Sequence, residues 1–253
     1  MNPWSQSLCA VLLTAASAGL ALRWRRGWWL LLGLGLAAVL ASLVFPHYIS
    51  RRLQGFSASV ALPWIGLPLL RFKITRLTRF GLIFVTAGAT IKVGWMEFLS
   101  PAFARAELAT LQTHLSKGLC FQTTGYTCGP AAAVTALRRL GFPAEEGELG
   151  LLACSSQQTG TDPADLARAI RERFGATGAR AEQAPLETLD DLRNAELALT
   201  VIKWDESVDH WVTVLDMTDY EVRYADPVRG VRIEKRAKFQ EIWEHETIRV
   251  WRE

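Results

Sequence analysis

The sequence predicts an α+β domain with its helices and strands segregated, carried behind an apolar N-terminal half. Three observations carry that expectation. The long uncharged runs all fall within residues 1–100. In the rest of the chain, helical periodicity comes first. Four strand-like runs come last, which is the order of a segregated α+β fold rather than of alternating βαβ units.

The chain has 253 residues, a formal net charge of +3 and 50% hydrophobic residues. Its mean hydropathy is +0.13, high for a water-soluble protein and unevenly spread. The small positive charge and the lack of a basic patch interleaved with aromatics argue against a nucleic-acid partner. Only Cys9, Cys120, Cys128 and Cys154 are present, with no Cys-x-x-Cys pair, so neither a disulfide scaffold nor a zinc site is expected. No metal or cofactor is called for.

Ser7 to Leu22 and Trp28 to Phe45 are uncharged apolar runs separated by Arg23-Trp24-Arg25-Arg26. A spanning helix needs roughly 20 apolar residues, and the first run lacks the preceding basic segment of a signal peptide. Trp24, Trp28 and Trp29 sit where an interfacial aromatic belt would form, and the arginine turn belongs on the cytoplasmic side. Two weaker runs follow. Phe56 to Leu70 is broken by Pro63 and Pro68, and Phe80 to Leu99 is interrupted by Lys92 and Glu97. Residues 1–100 are therefore read as a membrane-anchoring region of two to four transmembrane helices. With four spans, the cluster Arg71, Lys73, Arg76 and Arg79 is also cytoplasmic. The C-terminal half then faces outward, on the periplasmic side of a bacterial inner membrane, which is the favoured reading. It also faces outward if neither weak run spans, and inward if only one does.

Residues 101–118 read as a helical linker and 119–253 as the folded domain. Cys128-Gly129-Pro130 opens a helical run that Gly141 closes, and Asp162-Pro163 opens another that Gly175 closes. Both place proline near the helix start, where its missing N–H costs nothing. The strand patterns are Leu197 to Trp204, His210 to Met217, Tyr220 to Ala225 and Thr247 to Trp251, the middle two joined by a turn at Thr218-Asp219.

The chemistry concentrates in QTTGYTCGPA, Gln122 to Ala131. Cys128 stands at a helix N-terminus, where unpaired N–H groups and the macrodipole favour an anion such as a thiolate. Gln122, upstream on the same loop, offers an amide donor of the kind that holds the oxyanion of a tetrahedral intermediate. A thiol nucleophile needs a base. Of His47, His114, His210 and His245, only His210 sits at the edge of a core-like strand. A two-residue turn at Thr218-Asp219 places His210 opposite Pro227, and a one-residue slip places it opposite Asp226, close enough to orient an imidazole. Asp209 points to the opposite face, and Asp216 lies too far along the strand.

QTTGYTCGPA, DHWVTVLDM and YADPVRG together resemble the cysteine peptidase domain that trims double-glycine leaders from bacteriocin and lantibiotic precursors. That resemblance spans about Leu119 to Glu253 and implies a papain-like fold. It also implies Cys128 as nucleophile, His210 as base, Asp226 as orienting acid and Gln122 as oxyanion donor. In that family the domain usually precedes an ABC exporter. This chain holds no G-x-x-x-x-G-K-[ST] loop, so it reads as a stand-alone membrane-anchored relative. The partners expected are a peptide or protein substrate, a lipid bilayer and a separate transporter. The competing readings are a membrane-tethered peptide-binding module without catalysis and an accessory subunit of a peptide exporter. Cys120 and Cys154 flank the site region and read either as a disulfide pair or as two unrelated thiols.

Overall fold

The computed structural model describes residues 75–184, 186–205 and 208–253, together with 62–63 and 70. The apolar runs of 7–22 and 28–45, His47, Cys9 and most of the run 56–70 lie outside the described residues. The chain divides into two units, one ending at Phe103 and one running Ala104–Glu253.

In the first unit, α1 (Arg76–Ala89) is capped by Thr75, whose hydroxyl accepts from the Thr78 N–H at 3.2 Å. Leu77, Phe80 and Phe84 are 83%, 71% and 81% exposed, so this helix turns large apolar side chains outward. The run Phe80 to Leu99 does not form one helix. It passes from α1 into a π-helical stretch (Thr90–Trp95) and then into α2 (Met96–Thr110). The Thr90 hydroxyl donates back to the Thr86 carbonyl at 2.8 Å, a contact that bends helices. Among the described residues no helix is long and apolar enough to cross a membrane.

The unit from Ala104 is α+β. Its elements run β1 (His114–Ser116), β2 (Leu119–Phe121), α3 (Cys128–Arg139), α4 (Glu146–Leu152), α5 (Pro163–Phe174), β3 (Ala179–Gln183), α6 (Leu189–Arg193), β4 (Leu197–Lys203), β5 (Asp209–Met217), β6 (Glu221–Asp226), β7 (Gly230–Lys235), α7 (Arg236–Ile242) and β8 (Trp243–Arg252). Six strands form one antiparallel sheet in the order β3-β8-β4-β5-β6-β7, and β1 pairs with β2 separately. The segment read as a helical linker is thus helical only to Thr110 and then enters the β1–β2 hairpin. Its last turn packs closely on α4, where a Cβ on Gly147 would meet the Leu108 carbonyl at 2.4 Å.

One core lies between the sheet and helices α3 and α5, built from Leu137, Leu166, Ile170, Phe174, Leu199, Trp211 and Ile248 among others. A second core on the opposite face gathers Leu192, Val212, Val222, Phe239 and Trp243. Each large aliphatic or aromatic side chain so buried contributes about 1.5–3 kcal/mol. Ala131, Ala132, Ala133 and Ala136 are fully buried, and these small side chains let α3 lie close to the sheet. The Thr213 hydroxyl on β5 donates to the Ala132 carbonyl at 2.8 Å, and the Cys120 N–H on β2 donates to the Thr135 hydroxyl at 2.9 Å. Helix α3 is therefore bound to strands on two sides, which fixes where its first residue points.

Helix ends follow local chemistry. Gly141 adopts φ 84°, and the Phe142 and Gly141 N–H groups return to the Leu137 and Arg138 carbonyls at 2.9 and 3.1 Å, a Schellman stop. Asp162 caps α5 through its carboxylate, accepting from the Ala164 N–H at 2.9 Å. Gly175 closes α5 as its C-cap, its N–H donating to the Arg171 carbonyl. It also leads a short 3-10 turn, which Gly178 at φ 96° ends.

Candidate active site

Three chain segments converge at one end of the sheet. Helix α3 contributes Cys128 as its first residue. Strand β5 contributes His210 near its start, and antiparallel β6 contributes Asp226 at its end. The Cys128 side chain is nearly buried, as are those of His210 and Asp226. The His210 Nε2 lies 3.0 Å from the Asp226 Oδ1. The same Asp226 oxygen accepts the Val228 and Arg229 N–H groups at 2.7 and 3.1 Å, so the carboxylate is set by the turn that follows it.

The electrostatics follow from these contacts. Burial lowers the His210 pKa. The hydrogen bond to Asp226 and the neighbouring Cys128 thiol outweigh it and push the imidazole up to about 9. Burial raises the Asp226 pKa. The His210 hydrogen bond and the Val228 and Arg229 amides outweigh that and hold it below the usual carboxylate value. His210 thus stands between a carboxylate and a thiol and is biased towards its protonated form at neutral pH.

The pair forms by a different register from the one the sequence suggests. Met217 pairs with Val222, leaving Thr218 to Tyr220 as the connection instead of two turn residues. The Thr218 hydroxyl accepts from the Glu221 N–H at 3.0 Å and stabilises this wider loop. A bulge at Leu215 then moves the register once more, so that Thr213 faces Ala225. His210 and Asp226 are consequently diagonal neighbours on one face, a separation that an imidazole spans. Asp209 is exposed opposite Lys203. Asp216 is exposed and accepts the Met217 N–H. His114 stacks on Phe121 in the β1–β2 hairpin, and His245 contacts Trp243 and the Leu186 carbonyl.

Gln122 follows β2 directly. Its backbone N–H donates to the Pro227 carbonyl at 2.9 Å, which ties the cysteine loop to the residue after Asp226. Its amide nitrogen donates to the Thr124 carbonyl at 2.9 Å. An amide NH2 carries two donors, so one remains for another acceptor. The Gln122 carbonyl oxygen is buried without a hydrogen-bond partner among the described residues. Such an orphan costs roughly 1–3 kcal/mol. Gln122→Leu is therefore expected to leave thermal stability unchanged or raised, measured by the melting temperature.

The loop from Gln122 to Cys128 is knitted internally. The Thr124 N–H donates to the Thr127 hydroxyl at 3.2 Å, and the two hydroxyls lie 3.0 Å apart. The Tyr126 hydroxyl donates to Glu107 on α2. Gly129 is required by packing: a Cβ there would lie 2.8 Å from the Thr161 Cβ. Thr161 cannot retreat, because its hydroxyl pairs with Ser155 at 2.7 Å and its carbonyl accepts the Trp211 Nε1 at 3.1 Å. Gly129→Ala is expected to destabilise the domain by about 1–3 kcal/mol through overpacking, read as a lowered denaturation midpoint.

Sequence reasoning missed two residues beside the histidine. The Trp204 ring meets the His210 ring edge-on with centroids 4.6 Å apart, and the Arg229 guanidinium lies 3.7 Å over the Trp204 ring. The signal was present: Trp204 ends the β4 pattern, and antiparallel pairing with β5 brings that end beside His210. Cys120 and Cys154 are free thiols, which resolves the open disulfide question in this structure. Burial pushes the Cys120 thiol up, away from reactivity. Among the described residues no His, Cys, Asp and Glu cluster could hold a metal ion.

The sequence profile of the peptidase C39 family matches residues 116–253. An uncharacterised protein of Methanothermobacter marburgensis is 33% identical over 133 residues, covering 52% of this chain and 87% of its own length. Another, from Methanothermobacter thermautotrophicus, is 33% identical over 125 residues, covering 49% and 82%. Among solved structures, the peptidase domain of Streptococcus ComA, a bifunctional ABC transporter of a quorum-sensing pathway, is 20% identical. It has a TM-score of 0.46 and covers 53% of this chain and 98% of its own. A double glycine motif protease from an AMS/PCAT transporter, solved with its leader peptide, is 14% identical, with a TM-score of 0.43 and coverage of 57% and 96%.

Proposed function

The chain belongs to the peptidase C39 family over residues 116–253, and from that premise we propose that it is a membrane-anchored cysteine peptidase acting on peptide precursors. The observation that carries the reading is the placement of His210 between the Cys128 thiol and the Asp226 carboxylate, with Cys128 opening a helix.

In the proposed mechanism the Cys128 sulfur attacks the scissile carbonyl carbon, and the carbonyl electron pair moves onto oxygen. The Cys128 N–H and the remaining Gln122 amide hydrogen donate to that oxyanion. As the intermediate collapses, the C–N bond breaks and the departing amine takes a proton from His210. Water then attacks the thioester, His210 receives its proton, and the C–S bond breaks to restore the thiolate. Asp226 keeps the imidazole oriented and stabilises its charged form. Loss of the Gln122 donor is expected to lower kcat by about 10²–10³-fold in Gln122→Leu, while stability holds.

Substrates with a double-glycine leader are the first to test, since the double glycine motif protease was solved with a leader peptide. The proposed anchor comprises the apolar runs 7–22 and 28–45. The outward-facing Leu77, Phe80 and Phe84 of α1 support a lipid-facing N-terminal unit. The arginine clusters support an outward, periplasmic peptidase unit, with a separate transporter as the downstream partner. The test is mass-spectrometric: the full chain, incubated with a synthetic precursor, should cut it at the double glycine. Cleavage that persists in Cys128→Ala would overturn the mechanism.

A further inference from the structure

We propose that Glu146 is a positioning residue for the oxyanion site, holding Gln122 in place through Thr123. The proposal rests on the peptidase reading above. Glu146 lies in the first turn of α4 and is fully buried. Its Oε1 accepts the Thr123 N–H at 2.8 Å and its Oε2 accepts the Thr123 hydroxyl at 2.7 Å. Its own N–H donates to the Thr113 hydroxyl at 2.8 Å, which fixes the base of the side chain. Among the described residues no Lys or Arg forms an ion pair with it. Taking a carboxylate out of water without a counter-charge is costly, and an apolar side chain would fill the space at lower cost.

What the carboxylate secures is the residue next to Gln122. The Gln122 N–H is held by the Pro227 carbonyl at 2.9 Å, and the following N–H, of Thr123, is held by Glu146. Two successive peptide units are thus pinned from opposite sides, one from the Asp226 turn and one from α4. The Gln122 side chain springs from the Cα between them. Catalysis needs its amide at the oxyanion within a fraction of an ångström, and a displacement of about 1 Å can cost 10²-fold in rate. Glu146 acts on the reaction only through this placement.

The experiment separates oxyanion chemistry from plain thiol reactivity. Wild type, Glu146→Ala, Glu146→Gln and Thr123→Val of the full chain are compared in three assays. These are precursor cleavage, inhibition by a peptide aldehyde ending in two glycines, and alkylation of Cys128 by iodoacetamide. The aldehyde forms a hemithioacetal whose oxygen needs the oxyanion donors, whereas alkylation builds no oxyanion. Glu146→Ala should lower kcat by about 10- to 100-fold with KM little changed, and weaken aldehyde inhibition by a similar factor. Alkylation should stay within about twofold of wild type, since the thiol itself is untouched. Glu146→Gln retains an acceptor for the Thr123 N–H and should recover most of the loss. Thr123→Val keeps that N–H, should fold where Glu146→Ala does not, and should show a smaller loss of the same kind. Unchanged kcat and aldehyde inhibition in the folded variants would overturn the proposal. So would alkylation falling in step with cleavage. A wild-type protein that neither cleaves nor binds the aldehyde would overturn the peptidase reading itself, a result distinct from either.

Discussion

Cys128→Ala is expected to reduce precursor cleavage to background, a loss on the order of 10⁶-fold as for removal of other covalent nucleophiles. The protein should remain folded. Cys128 opens α3, whose hold on the sheet comes from the Thr213 and Thr135 hydroxyls and from its alanines, and the sulfur is part of neither hydrogen bond. Alanine suits a helix, so the thermal midpoint should shift little. Cleavage and melting measured on one preparation separate the two effects. A cleavage loss accompanied by unfolding would leave the nucleophile unproven, whereas a loss with an unchanged midpoint assigns it.

Substitution of Asp226 should have the second-largest effect, and its form discriminates charge from geometry. Asp226→Ala leaves the Val228 and Arg229 N–H groups and the buried imidazole without their acceptor. A stability loss of about 3–5 kcal/mol is expected, with a fall in kcat of about 10⁴-fold. Asp226→Asn should cost less stability, because all three donors use one oxygen, Oδ1, which an amide also offers, while kcat should still fall about 10⁴-fold. What Asn removes is the negative charge.

That charge sets a pH dependence. The His210 pKa is raised to about 9 in the folded protein against 6.5 in the unfolded chain. The folded state therefore binds a proton more tightly. The resulting stability is fully present below pH 6.5 and is lost as pH rises through 9, up to about 3 kcal/mol in all. Asp226 has the opposite sense. Its depressed pKa contributes stability above the unfolded value of 3.8 that is lost as pH falls. Chemical denaturation across pH should show the wild type weakening between pH 6.5 and 9 and Asp226→Asn weakening less steeply over that interval, because the Cys128 contribution to the raised imidazole pKa remains. An equal slope in both proteins would remove Asp226 as the source of the raised imidazole pKa.

Much of the candidate site was legible because it is tied to local signals. The Cys-Gly-Pro helix start, the strand edge at His210 and the Asp-Pro pair each read without tertiary knowledge. The sheet was legible where strands bury a full face, as in β4 and β5. Its edges were not: Ala179–Gln183 and Gly230–Lys235 are short and polar, each paired on one side only. Strand β8 was read too short, since Glu244, His245 and Glu246 mask its start and His245 takes φ 62° there. The hairpin register missed because a hydroxyl, that of Thr218, widened the turn and a bulge followed. Neither event leaves a hydrophobic period to follow. Glu146 stayed invisible for a further reason: its importance lies in contacts with Thr123, 23 residues away along the chain, which spacing alone does not encode.

The most direct test of the Cys128–His210 pair is iodoacetamide labelling of the full chain across pH 5 to 9, resolved by mass spectrometry, in wild type and His210→Ala. Cys154, a half-buried free thiol on the same chain, serves as internal reference. An imidazolium-paired cysteine should label faster than Cys154 at acidic and neutral pH and lose that advantage without His210. Cys128 labelling no faster than Cys154 in the wild type, or equally fast with and without His210, would contradict the catalytic pair.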